Sequence, residues 1–228
     1  MDDRDEKLRA LDKFHREIDD LKEALLHMAH LAETALDRSI TALMTRDPNL
    51  AREVIRGDKA INDLEEDLDT HCVRIVALYQ PVAIDLRQVM AIDHLIVELE
   101  RLGDLAVNVA EETLNLEQLP RTELHRDLSR LTKMVQHMIR DSLRAFISQD
   151  VHLAREVCKQ DDEVDSLVRS LIQELLAHMG RSPEAVALGF TQATVVRNLE
   201  RVGDHATNIA EQVVYMVEGE SIRHRCQG

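Results

Sequence analysis

The chain has 228 residues, room for one large or two small domains. Its 7 Gly, 4 Pro and 2% aromatic residues are too few for the turns and strands of a sheet protein. A formal net charge of -15 argues against nucleic acid and anionic membrane surfaces as partners, because both reward clustered Lys and Arg. The opening MDDRDEKLRALDKFH has no apolar signal core, and no uncharged apolar run is long enough to span a bilayer. A soluble, cytoplasmic, all-α protein without direct membrane insertion is therefore expected.

In chain order, Ile18, Leu21, Leu25, Met28, Leu31 and Ala32 follow 3.6-residue spacing and predict a first long helix. Asp47-Pro48 supplies an N-cap and a proline for the first helical turn of a second helix, which Gln80-Pro81 stops after Tyr79. A third runs from about Asp85 to Asn115, and Leu116 to Thr122, with Pro120, reads as a linker. Thr122 and Asp150 are the expected caps of the next two helices. Gly180-Arg181-Ser182-Pro183 is expected to stop the fifth and cap the sixth. The expectation is two tandem three-helix bundles, residues 8–117 and 121–218, with a tail at 219–228.

The two bundles are copies of one unit. Asp47 and Leu50-Ala51-Arg52-Glu53-Val54 recur as Asp150 and Leu153-Ala154-Arg155-Glu156-Val157, an offset of 150 − 47 = 103 residues. Leu99-Glu100-Arg101-Leu102-Gly103-Asp104 recurs as Leu199-Glu200-Arg201-Val202-Gly203-Asp204, an offset of 204 − 104 = 100. The second copy has lost three residues between the two matches.

Helical steps of four, four and three place Glu100, Asp104, Asn108 and Glu111 on one stripe, with Asp93 close to it. The counterpart is Glu200, Asp204, Asn208 and Glu211, with Ala193 in place of Asp93. The second helix of each unit adds oxygens at the same spacing: Asp58, Asn62 and Glu66 in the first, Asp161 and Asp165 in the second. Like charges four apart destabilise a helix unless something offsets them. A cation is one candidate, since carboxylate and amide oxygens suit magnesium, calcium, manganese or iron. The alternative is a solvated acidic face paired with Arg101 and Arg201. Gly103 and Gly203, inside helices, signal close approach of a neighbour. Cys72, Cys158 and Cys226 are too widely spaced for a disulfide framework or a thiolate zinc site.

The motif Glu100-Arg101-Leu102-Gly103-Asp104 with Asn108 and Glu111, repeated from Glu200 to Glu211, resembles the PhoU family. Pro81-Val82-Ala83-Ile84-Asp85-Leu86-Arg87 is similar to that family's stretch between its second and third helices. The resemblance covers residues 8 to 218. It implies a non-enzymatic negative regulator of high-affinity phosphate uptake and of the phosphate-starvation response. Such a regulator contacts the phosphate ABC transporter ATPase subunit and the phosphate-sensing histidine kinase, and is a homodimer.

The resemblance also implies multinuclear metal clusters, of iron, zinc, manganese or magnesium. These would sit on Glu100, Asp104, Glu200 and Asp204, joined by Asp58, Asp161 and Asp165. Two departures stand out: Asn62 replaces an Asp of the first-unit motif, and Ala187-Leu188-Gly189 replaces Asp85-Leu86-Arg87 in the second unit.

Two other readings remain: a metal-free acidic helical scaffold, and a di-iron carboxylate enzyme. The second lacks Glu-x-x-His, since no Glu has a His three residues on. The tail Ser221 to Cys226 could clip a metal, although a short polar end is usually frayed.

Overall fold

The computed structural model describes the backbone of residues 3–119, 123–180, 183–220 and 222, with side chains from residue 11 onward except 183 and 184. Six long helices form it, the second interrupted once. They are α1 (Asp3–Thr45), α2 (Pro48–Gly57), α3 (Lys59–Tyr79), α4 (Ala83–Glu117), α5 (Leu128–Ser148), α6 (Val151–Met179) and α7 (Pro183–Glu218). The described residues contain no strand.

The caps follow from local chemistry. Asp47 accepts hydrogen bonds from the backbone N–H groups of Asn49 (2.9 Å) and Leu50 (3.2 Å). Asp150 accepts one from Leu153 (3.0 Å), and each satisfies donors that the first helical turn leaves unpaired. The residue before each cap is left-handed, Arg46 at φ 52 and Gln149 at φ 54, so both units turn the same corner with the same backbone.

The interruption at Asp58 has a local cause. Gly57 and Asp58 are poor helix formers, and the Asp58 carbonyl is shared between the N–H groups of Ile61 (2.9 Å) and Asn62 (3.2 Å). Gln160 replaces Gly57 in the second unit, where α6 runs through Asp161 unbroken. The fourth predicted helix starts at Leu128 rather than near Thr122. Pro120, Thr122 and Ser182 lie outside the described residues, as do Cys226 and all of Ser221–Cys226 except Ile222.

The middle of the molecule is α4 against α7. Both are apolar over a wide arc: Val89, Ile92, Leu95, Ile96, Leu99 and Leu102 are buried on α4, and Val195, Val196, Leu199, Val202, Ile209 and Val213 on α7. Each such side chain contributes about 1.5–3 kcal/mol by leaving water. The two helices run antiparallel. Glu98 Oε2 takes hydrogen bonds from His205 Nδ1 (2.6 Å) and Asn208 Nδ2 (3.1 Å), while Arg87 lies against Gly219 at the other helix's end.

Gly219, at φ 74, closes α7 with its N–H on Tyr215 (2.9 Å). A Cβ there would meet Arg87 Nη1 at 3.1 Å, so glycine serves both the backbone and the contact. Arg87, from the stretch that the second unit lacks, thus belongs to the joint between units. The first helices of the units also meet antiparallel. Arg140 of α5 donates to Asp37 (2.8 Å) and Glu33 (3.1 Å) of α1, and Gln136 donates to Asp37 (2.5 Å).

Candidate functional site

Each unit presents one seam in which a middle helix faces a long last helix. In the first, Asp58 lies at the α2–α3 junction opposite Gly103 of α4. A Cβ on Gly103 would come 3.1 Å from Asp58 Oδ1 and 3.0 Å from Ile61 Cδ1. In the second, a Cβ on Gly203 would lie 3.3 Å from Asp161 Oδ1 and 3.6 Å from Val164 Cγ1. The two glycines remove the side chain that would push the aspartate away, which is the close approach their position in a helix predicts.

The oxygens in these seams are under-satisfied. Asp58 Oδ1, Asn62 Oδ1, Glu100 Oε2 and Asp161 Oδ1 are buried without a hydrogen-bond partner. Among the described residues the only other such side-chain atom is Arg87 Nε. Leaving a buried acceptor unpaired costs about 1–3 kcal/mol, so four in two symmetry-related places is a pattern rather than noise. Arg101 stands beside the first seam, its Nε 3.3 Å from Glu100 Oε2 without hydrogen-bond alignment and its Nη1 bonded to Asp104 Oδ2 at 3.2 Å. In the second, Arg197 Nη1 donates to Glu200 Oε2 (2.8 Å) and Arg169 is 3.7 Å from Asp165.

Burial and mutual repulsion raise two carboxyls in each seam, Asp58 and Glu100 in the first and Asp161 and Asp204 in the second. Asp161 is pushed up to about 6, first by loss of water and then by Asp204, Asp165 and Asp162. Asp204, at the exposed edge, is raised by desolvation, Glu200 and Asp165. In the first seam Asp58 is raised by burial, against the lowering hydrogen bond of Asn62, and further by Asp104. Glu100 is raised by burial and then Asp104, with Glu65 and Asp58 adding to it.

Some expected members lie elsewhere. Asn62 turns its amide on Asp58 Oδ2 (3.0 Å). Glu66 is exposed, and the carboxylate that nears Glu100 is Glu65. Spacing in steps of four points to Glu66, but the step of three from Asn62 to Glu65 is equally helical, and packing against α4 selects Glu65. Asp93 sits further along, raised by burial and by Asp69, another residue the sequence reading left out.

Asn208 faces Glu98 across the joint between units. Asn108, Glu111 and Glu211 make no hydrogen bond to the seam carboxylates among the described residues, and Glu111 is exposed.

As a donor set the seams fit a hard cation: all oxygen, several unpaired, with raised pKa values that a positive charge would reverse. Their carboxylates are spread along the helices. Among the described residues, the one group of three potential ligands drawn within 4.8 Å of one another is elsewhere, at His125, Asp127 and Glu174. There His125 Nδ1 accepts from the Asp127 N–H (3.3 Å) at the start of α5 and Nε2 faces Glu174 of α6 (3.2 Å), which occupies both ring nitrogens.

Fold and seams together define a duplicated helical-bundle protein with one oxygen-lined acidic seam per unit. The PhoU domain matches residues 25–113 and 128–213, one copy per unit, and the chain belongs to the PhoU family.

It is 38% identical over 213 residues to the phosphate-specific transport system accessory protein PhoU homolog of Aquifex aeolicus, covering 93% of this chain and 96% of that one. It is 34% identical over 212 residues to the phosphate-specific transport system accessory protein PhoU of Escherichia coli, covering 93% and 88%. The crystal structure of PhoU from Pseudomonas aeruginosa superposes with a TM-score of 0.87 at 37% identity, over 91% of this chain and 100% of that one. That of the phosphate transport system regulatory protein PhoU from Streptococcus pneumoniae gives 0.85 at 28% identity, over 91% and 98%. No helix among the described residues is long and apolar enough to cross a membrane.

Proposed function

We propose that this chain is a non-enzymatic regulator of phosphate transport that acts by contact. In this reading it restrains a high-affinity phosphate ABC transporter through its ATPase subunit, and restrains the starvation response through a phosphate-sensing histidine kinase, on the cytoplasmic side of the membrane. Support comes from family membership over both units and from relatives named as phosphate-specific transport accessory proteins. Deleting the gene and measuring phosphate uptake in phosphate-replete cells tests it: uptake rises if the chain is a restraint, and unchanged uptake refutes that role.

A divalent or trivalent cation belongs on each seam. The observation that carries this is the set of buried unpaired oxygens of Asp58, Asn62, Glu100 and Asp161 in seams related by the duplication. Asp58, Glu65, Glu100 and Asp104 would hold it in one unit, and Asp161, Asp165, Glu200 and Asp204 in the other. A bound cation supplies positive charge that lets these carboxylates stay ionised side by side.

The chain's own groups do the rest. Gly103 and Gly203 admit the aspartates, and Arg101 and Arg197 neutralise the outer oxygens. The same arginines favour a second reading, a metal-free acidic scaffold whose carboxylates dock a basic partner. Elemental analysis of untagged protein beside E200A/D204A separates them: metal present and lost in the variant supports the cation, and metal absent from both after loading supports the scaffold.

A further inference from the structure

One face of the molecule runs against its net charge of -15. Along α5, Arg130, Lys133, His137, Arg140 and Arg144 follow steps of three, four, three and four residues, and all are exposed. That register makes a single stripe roughly 21 Å long at 1.5 Å per residue. Arg126, just before the helix, extends it and lines one shallow depression with Ser129, Arg130, Lys133, Met134 and His137.

The stripe is not inherited from the duplication. At the 103-residue offset, which sets Ser142 on Ser39 and Leu128 on Leu25, the six positions become Glu23, His27, His30, Thr34, Asp37 and Thr41, without a Lys or Arg. Both copies keep the buried side of the helix. Only the second turns its outer side basic, so the fold does not require it.

The charges are partly uncommitted. Arg140 is held by Glu33 and Asp37, His137 and Arg144 both reach the buried Asp141, at 3.2 Å each, and Arg126 Nε lies 3.5 Å from Asp127 Oδ2. Arg130 and Lys133 have no ion-pair partner among the described residues. The borders are acidic: Glu33 and Asp37 flank one side, and Glu174 sits on His125 next to Arg126. No large apolar side chain is exposed from residue 126 to 144, the first beyond being Ile147.

We propose that this face of α5 docks an acidic α-helix of a partner protein, laid along it with carboxylates in the matching three-four register. A narrow positive line between negative borders selects a narrow anionic partner. A flat anionic bilayer meets the acidic borders as well as the stripe, and finds no apolar side chain to take up. Each exposed pair is weak, so register over several pairs provides discrimination and long-range attraction speeds encounter.

The test uses the full-length protein and a labelled helical peptide with glutamates at i, i+3, i+7, i+10 and i+14. A second peptide of identical composition has its glutamates spread round the helix. Binding is read by fluorescence anisotropy at low and near-physiological salt. The striped peptide binds more tightly than the scrambled one, and R126Q/R130Q/K133Q weakens it about tenfold, from three lost exposed pairs. K13Q/R16Q, equally exposed on α1, leaves it unchanged.

Equal binding of both peptides, no binding of either, or indifference to the triple variant overturns the proposal. So does binding of the wild type to phosphatidylglycerol-containing vesicles that the triple variant loses, which would assign the stripe to a membrane surface.

Discussion

Replacing Asp161 by Asn keeps shape and removes charge from the most perturbed carboxyl of either seam. In the folded protein Asp161 titrates at about 6 against an ordinary 3.8, because burial and three nearby aspartates disfavour its ionised form. The folded state therefore holds a proton that the unfolded chain releases at lower pH. Its stabilising effect is fully present below 3.8 and is lost as pH rises through 6.

At about 1.4 kcal/mol per unit the shift corresponds to roughly 3 kcal/mol, or about 2 kcal/mol once water at the seam's open edge screens it. D161N is accordingly more stable than wild type by about 2 kcal/mol at pH 7 in chelator, and within about 0.5 kcal/mol of it at pH 4. Urea midpoints at both pH values measure this. The reasoning fails if D161N gains nothing at pH 7, or gains the same at pH 4. A cation on the seam reverses the order: with magnesium, manganese, zinc or ferrous iron added one at a time, the effective metal raises the wild-type midpoint and leaves D161N nearly unmoved.

Gly103→Ala forces Asp58 and Ile61 aside and lowers the thermal midpoint, whereas Gly203→Ala, which asks Asp161 Oδ1 to give only a few tenths of an ångström, lowers it less because about 1 kcal/mol of helix propensity offsets the crowding. Glu98→Ala strips the acceptor shared by His205 and Asn208 and costs about 1–3 kcal/mol, seen as earlier urea unfolding. Leu199→Ala, at a fully buried site of α7, costs about 2–5 kcal/mol in the same assay. The Cys72 thiol is pushed up to about 12 by burial and by Asp93 and Asp69, so in a Cys226→Ser background native protein at pH 8 gives no fast thiol reaction with a disulfide reagent until urea is added.

The sequence by itself determined the helices, the duplication and the family. Apolar residues at 3.6 spacing, an Asp cap at the same place in each unit and a repeated Glu-Arg-x-Gly-Asp are local signals, and local signals survive without a partner in view. They also placed Asp58, Glu100 and Asp104 on one seam and Asp161, Glu200 and Asp204 on the other. Which side chains complete the seams was decided only by packing. Glu65 and Glu66 are equivalent in helical spacing until α4 comes to lie beside one of them. Asn208 matches Asn108 in sequence, yet its position puts it on Glu98, because the joint between units is antiparallel and meets residues no repeat pairs together. Arg87 needed Gly219, far off in the chain, before its role could be read. The basic face of α5 was written in the sequence throughout, but a helical stripe counts as a surface only when the other side of the helix is known to be buried.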